Sequence, residues 1–497
     1  MDGPSGSRRR LLQASAWAMG GLAVPPLWSH ARADAPTRGL LALGRDLDGR
    51  LLLPGDSGYA PAAWPNNARW SGVLPQAVAA CAGDEDVRRC IRWARDHGMP
   101  FAIRSGGHSY AGFSTTDGLL IDVKALSRIT VDLQAGTATV GGGANNQDMA
   151  DAMRSLPFTV PSGRCPTVGA GGLTLGGGWG FAATHSGLTC DSLLSTELVD
   201  ATGQTITASD RERPDLFWAV RGGGGGNFGV HTSFTFQLHP VGRVTAFHIV
   251  WPPGRQVELM AALQSVQLGN PTMISTRSKV SPTRAGASLA MAELFAQTLG
   301  IYWGSPDELR QVMQPALALL EPDILEIEEM PYWVARDFLV TDDPTGSYDI
   351  RSRYVSGALD EAGLETMLHW MTRWPGGSLR QANMGILFAA GGKVKERKPE
   401  ETAYPHRAAD FIFQMEASWG PLDGPEQVRR QQDWLTGYME DMQKFLLPNS
   451  YVNFPNRELR DWARAYYGPN LERLSEVKRR YDPDGLFRFP QSIPASA

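Results

Sequence analysis

The sequence predicts an α+β protein of more than one domain. From residue 73 short apolar runs alternate with helical periodicity, and the turns between them are rich in glycine. From about residue 246 that texture gives way to longer helical patterns alternating with strand-like segments. At 497 residues, 42% of them hydrophobic, the chain can bury two to three domain-sized cores.

Each element has its own signal. Residues 73–81, VLPQAVAAC, read as a strand. DEDVRRCIRWARDHG (84–98) reads as an amphipathic helix with Val87, Cys90, Ile91 and Ala94 on its apolar face, capped by Asp84 and closed by Gly98. MPFAI and GLLIDV follow as strands, RITVDLQAGTATVGGG as a hairpin and NNQDMADAM as a helix. VHTSFTFQLHP alternates Phe234, Phe236 and Leu238 with polar residues, as a strand does. Further on, SPDELRQVMQPALALL is helical and DFIFQMEASW strand-like. The chain ends in turns and two short helices expected to pack back on the first domain. The boundaries read as 34–245, 246–449 and 450–497.

Residues 1–33 are set apart by a basic start, an apolar stretch and the A-x-A site Ala31-Arg32-Ala33. Ser7-Arg8-Arg9-Arg10-Leu11-Leu12 fits the twin-arginine pattern, so the expected partner is the twin-arginine export machinery and the expected location periplasmic or secreted. Removing this leader takes away four arginines and one aspartate, moving the formal charge from −5 to −8. An acidic chain argues against nucleic acid as partner. No later apolar run approaches the ~20 residues that span a bilayer, so no membrane span is expected.

Four cysteines are too few for a disulfide scaffold. Cys90 and Cys190 read as buried thiols. A Cys81 to Cys90 bridge is open in an oxidising compartment, although strand-to-helix geometry works against it. Cys165 differs, because it stands among glycines.

Three glycine clusters, RSGGHSY, PSGRCPTVGAGGLTLGGGWG and RGGGGGNFG, would let backbone approach a pyrophosphate. Gly224-x-Gly226-x-x-Gly229 matches the dinucleotide fingerprint formally, but a strand follows it where the fingerprint needs a helix. The nine histidines show no metal-ligand spacing.

Taken in order, RSGGHSYAGFS, GRCPTVGAGGLTLGGGWG, LFWAVRGGGGGNFGV, TAYPHR, YVNF and YDPDGLFRFPQSIP resemble the berberine-bridge-enzyme-like flavoproteins of the vanillyl-alcohol oxidase superfamily, over essentially the whole chain after the leader. The resemblance implies a two-subdomain FAD-binding domain of the p-cresol methylhydroxylase type, and a substrate domain whose antiparallel sheet is covered by helices. It also implies FAD bonded twice, at the 8α-methyl by His108 and at C6 by Cys165. Imidazole and thiolate are nucleophiles, so both bonds are chemically reasonable. The flavin's surroundings would comprise Arg104, Ser105, Gly106, Gly107 and Ser109, with Gly163, Thr167, Val168, Gly169, Gly172, Gly176 and Gly180, then Val230 and Asn453. Val168 stands where the resemblance places a gate for oxygen.

The resemblance breaks at the base. Many relatives carry Tyr-x-Asn-Tyr, whose second Tyr takes the substrate proton, and here the motif reads Tyr451-Val452-Asn453-Phe454. Tyr451 is one substitute. Strand alternation puts Gln414, Glu416 and Ser418 on one face of FIFQMEASW, and Glu416 could serve as a base if buried; a solvated strand residue is the alternative. Tyr404 and His406 of TAYPHR are further pocket candidates, His406 equally a core histidine. The implied function is an oxidase acting on an alcohol-type small molecule, such as a sugar or secondary metabolite, with O2 as the second substrate. The alternative, supported by Phe454, is a dehydrogenase or redox-neutral flavoprotein.

Overall fold

The computed structural model describes residues 35–282, 293–340, 346–379 and 385–496, so the leader read over 1–33 lies outside the described residues. The chain forms two units, 1–39 and 40–497. Of the first, only the opening of the Ala35–Asp46 helix is described.

The fold is α+β. A four-stranded sheet has the order Arg50–Leu52, Ala77–Ala80, Leu119–Asp122, Phe101–Arg104, with the last three strands parallel. Leu119–Asp122 is buried along its whole length, which explains its unbroken apolar reading. The Asp84–His97 helix buries Val87, Cys90, Ile91 and Ala94 as its periodicity requires, and Gly98 closes it in the left-handed region at φ 60°. Its capping differs from expectation. Gly83 holds the cap position and Asp84 lies inside the helix, accepting from the Thr232 hydroxyl at 3.1 Å. Asp86 instead gathers backbone N–H groups of Asp48, Gly49 and Ala82, each at 2.8 Å. All four cysteines are free; the adjacent Cys90 thiol, then burial, pushes Cys81 well above the usual thiol range.

A five-stranded antiparallel sheet has the order Ile129–Asp132, Thr137–Gly141, Val230–Gln237, Leu193–Val199, Thr205–Ser209. Its first two strands are the predicted hairpin. Val230–Gln237, which starts one residue after Gly229, is the central strand, and this is why the dinucleotide fingerprint fails.

The third sheet has seven antiparallel strands: Ile324–Pro331, Arg243–Trp251, Leu294–Tyr302, Ile274–Pro282, Gly385–Ala389, Phe411–Trp419, Ser347–Val355. Helices Gln256–Gly269, Glu361–Thr372 and Pro425–Met442 cover one face, burying Leu263, Met367, Leu435 and Tyr438 against Phe413, Met415 and Ala417. Alternation sends the even-numbered residues of the Phe411–Trp419 strand to the opposite face. The run read as one helix from 305 divides into Pro306–Val312 and Gln314–Leu317, because Pro315 has no N–H to continue the ladder.

The C-terminal segment is tied to the five-glycine loop by a buried cation. Lys478 Nζ donates to Asn227 O at 2.7 Å, Phe487 O at 2.6 Å and Asp482 Oδ2 at 2.6 Å. Asn227 Oδ1 accepts from Ile493 N at 2.8 Å. Removing one partner of a buried pair strands the other charge, so Lys478→Met should lose about 3–5 kcal/mol in urea unfolding. A loss below about 1 kcal/mol would mean the clamp is dispensable.

Candidate active site

Glycine at 106 and 169 lets two loops touch. A Cβ on Gly106 would lie 2.2 Å from Gly169 N, and one on Gly169 2.2 Å from Ser105 Oγ. This contact explains the bareness of the RSGGH loop: it brings His108 and Cys165 to the wall of one cavity of about 870 Å³. The loops are pinned by Ser105 Oγ donating to Gly142 O at 2.8 Å and Asn146 Nδ2 donating to Cys165 O at 2.9 Å. His108 Nε2 lies 2.7 Å from Thr167 Oγ1, which orients the ring.

Of the residues expected around the flavin, Ser105, Gly106, Gly107, His108, Ser109, Gly163, Cys165, Val168, Gly169, Gly172 and Asn453 line this cavity. Seven expected site residues, His406 among them, are not on its wall. Arg104 is fully buried and turned beneath its own loop, donating to the carbonyls of Ser114, Ala62, Ala63 and Trp64, so it shapes the loop from behind. Burial pushes its guanidinium down to about 10. Thr167 reaches the site through its contact with the His108 ring. Gly176 and Gly180 are spacing positions, where a Cβ would strike Asn453 Oδ1 at 2.1 Å and Ser162 O at 1.9 Å. Val230 is core, packed with Val199 and Phe487.

Tyr404 is the sixth. Its ring lies against Gly177, and its hydroxyl is 2.8 Å from that of Tyr354, with burial pushing it far above the usual phenol range. His406 is a core histidine; its Nε2 is 2.8 Å from Tyr466 O, and burial pushes it down to about 3. Arg407, one residue on, makes the use of TAYPHR plain. It grips Asp191 bidentately, 2.8 Å at both nitrogens, with both side chains buried. The motif is a fastening, not pocket chemistry.

At the other wall, Tyr451 is buried, and its hydroxyl accepts from Gly178 N at 2.9 Å, Trp179 N at 3.1 Å and Asn453 Nδ2 at 3.1 Å. Burial outweighs these three donors and leaves the phenol pushed up to about 12. Phe454 faces the same cavity, its ring 5.4 Å from Tyr110, 5.7 Å from Phe388 and 5.0 Å from Tyr451.

Glu416 and Gln414 project from the Phe411–Trp419 strand into the cavity, and Glu416 is only 2% exposed. This excludes a solvated strand residue. Glu416 Oε1 accepts from Ser418 Oγ at 2.6 Å and Oε2 from Gln414 Nε2 at 3.3 Å. The predicted face therefore carries a buried carboxylate held by its two strand neighbours.

Tyr110, Arg164, Trp179, Arg277 and Phe388 also line the cavity and were not anticipated. Arg277 had a legible signal: STRSKVS places cations at 277 and 279, on one face of an otherwise small-residue strand.

Residues 75–209 match the FAD binding domain family, and residues 450–494 the berberine and berberine-like family. An FAD-linked oxidoreductase of Bacillus subtilis, YgaK, is 32% identical over 458 residues, which cover 90% of this chain and 97% of that protein. The structure of wild-type Physcomitrella patens BBE-like 1 superposes with a TM-score of 0.82 at 28% identity, over 92% of this chain and 99% of that one. A xylooligosaccharide oxidase from Myceliophthora thermophila C1, solved with xylobiose, gives a TM-score of 0.79 at 26% identity with the same coverage.

Proposed function

The chain belongs to the berberine-bridge-enzyme-like family of FAD-linked oxidoreductases, and on that premise we propose that it is an exported oxidase of an alcohol-type small molecule, with FAD bonded to both His108 and Cys165 and O2 as electron acceptor. The observation that carries this reading is the buried carboxylate of Glu416, facing the same cavity as the two nucleophiles.

The cavity fits FAD. Gly172 and Gly225 lie side by side on its wall, a Cβ on Gly225 coming only into ordinary contact with Gly172 Cα at 3.6 Å, so two stretches of bare backbone face the cavity. Asn146 Oδ1 and Ser114 Oγ are buried without a hydrogen-bond partner and belong to cavity-lining residues, which suits a ligand carrying both donors and acceptors. Bound FAD supplies the two-electron acceptor for the substrate's C–H bond. The chain supplies the rest. Glu416 takes the substrate's hydroxyl proton, and Gln414 and Ser418 hold the carboxylate in place. Trp179, Phe388 and Phe454 exclude water. The leader at 1–33 supports twin-arginine export, a route that carries folded, cofactor-loaded proteins.

Oxygen consumption over a panel of sugars, alcohols and phenols tests the reading, with xylobiose included because a solved relative binds it. Turnover with peroxide formed is the expected result. Phe454 favours a second reading, a flavin protein without alcohol oxidase turnover. Flavin bleached by substrate without oxygen consumption would establish a dehydrogenase, and no bleaching by any member would leave a redox-neutral protein.

Val168 lies on the cavity wall three residues past Cys165. Val168→Leu should slow reoxidation of the reduced protein by air at least tenfold while leaving its anaerobic reduction within twofold. An unchanged reoxidation rate would remove Val168 as the oxygen gate.

A further inference from the structure

Arg277 is 3% exposed, lines the cavity, and makes no hydrogen bond or ion pair among the described residues; its Nε is buried without a partner. Its guanidinium lies over the face of Phe388, 5.7 Å from the ring centroid. A guanidinium carries five N–H donors, and burying them unsatisfied is costly. In a native enzyme such a group awaits an acceptor.

The sheet shows where that acceptor would sit. Arg277 pairs across the sheet with Phe388, and Lys279 with Ile386, which in turn pairs with Gln414. Lys279 lies on the same face two residues along, is 9% exposed, and adds a second positive charge. Two strand spacings, about 10 Å, separate the backbone of Lys279 from that of Gln414, and Glu416 follows two residues further along the same strand. Long arginine and lysine side chains span much of that gap. Arg164 joins Arg277 on the cavity wall, and Arg277, Lys279 and Glu416 lie within electrostatic reach of one another. Arg277 itself keeps a buried Nε without a hydrogen-bond partner, so a substrate with no acceptor for the guanidinium would leave that group unsatisfied.

We propose that Arg277, backed by Lys279, is an anion-binding subsite that makes this enzyme selective for substrates bearing a carboxylate beside the alcohol, such as uronic or 2-hydroxy acids. A carboxylate matches the guanidinium fork with two parallel hydrogen bonds. The inference deepens the proposed function and rests on it for the reacting group, although anion recognition is measurable without turnover.

The test uses the flavin-loaded enzyme and difference spectra of the oxidised chromophore. Glucuronate is titrated against glucuronamide, and mandelate against mandelamide. Each acid should bind at least tenfold tighter than its amide, and Arg277→Gln should abolish that preference. Arg277→Lys, which keeps the charge and loses the fork, should retain part of it and guards against a folding defect in the first variant. Equal binding of acid and amide by the wild type would overturn the proposal. So would an Arg277→Gln enzyme whose ligand-free flavin spectrum and sulfite affinity have shifted while the acid preference stays, because the guanidinium would then serve the flavin. Acid-selective binding without oxygen consumption would instead sustain the subsite and defeat the oxidase reading.

Discussion

Glu416→Gln should slow substrate bleaching of the flavin by about 10²–10⁴-fold, the usual cost of losing a general base. The amide keeps the shape of the side chain and one of the two acceptor positions that Gln414 and Ser418 donate to, but cannot take a proton. Tyr451 is the competing base, and its surroundings argue against it. A phenol oxygen has two lone pairs, and three N–H groups already point at this one. With burial holding it at about 12, it is protonated at neutral pH. The pH profile separates the two. A carboxylate must lose its proton to work, so the rate rises with pH through its titration and is flat above. A tyrosine at about 12 would leave the rate still climbing beyond pH 10. Tyr451→Phe should cost less than tenfold; if it costs more than Glu416→Gln, the roles are reversed. A gain of activity in Phe454→Tyr would show that this chain gave up the alcohol chemistry of its relatives.

The second large effect is all-or-none. Acid precipitation of the wild-type protein should leave the yellow colour in the pellet, as should either His108→Ala or Cys165→Ala, each keeping one bond. The double variant should release the colour to the supernatant. Both side chains reach the same cavity, from loops that touch at Gly106 and Gly169. Colour freed from the wild type, or retained by the double variant, would show that these residues do not carry the attachment.

Much of this was legible because the informative residues were local. The hairpin at 128–143, the strand after Gly229 and the split faces of FIFQMEASW each follow from periodicity within a few residues. The glycine loops were visible as composition, and their meaning came from their order. What escaped was long-range. Arg104, Gly176, Gly180 and Val230 look like cofactor contacts because they sit inside motifs, yet their side chains or missing side chains serve packing between segments far apart in the chain. Tyr404 and His406 share that fate, since TAYPHR is held by the Arg407–Asp191 pair across 216 positions. Arg277 was missed for the opposite reason. The alternating cations of its strand were legible, but what they face was not, since only the seven-strand register carries them over the Phe388 strand.

The Lys478 clamp holds a wall of the cavity as well as the fold. Phe487, Phe489 and Gln491 form part of the cavity wall, and Lys478 and Ile493 hold the five-glycine loop through Asn227. One side of the cavity is thus borrowed from a segment 251 positions away from the glycine loop it closes, and the pocket is whole only while that segment is docked. Loosening the clamp would therefore unwall the cofactor as well as cost stability, so a Lys478 variant should exchange solvent at the flavin faster than its loss in unfolding free energy alone would suggest.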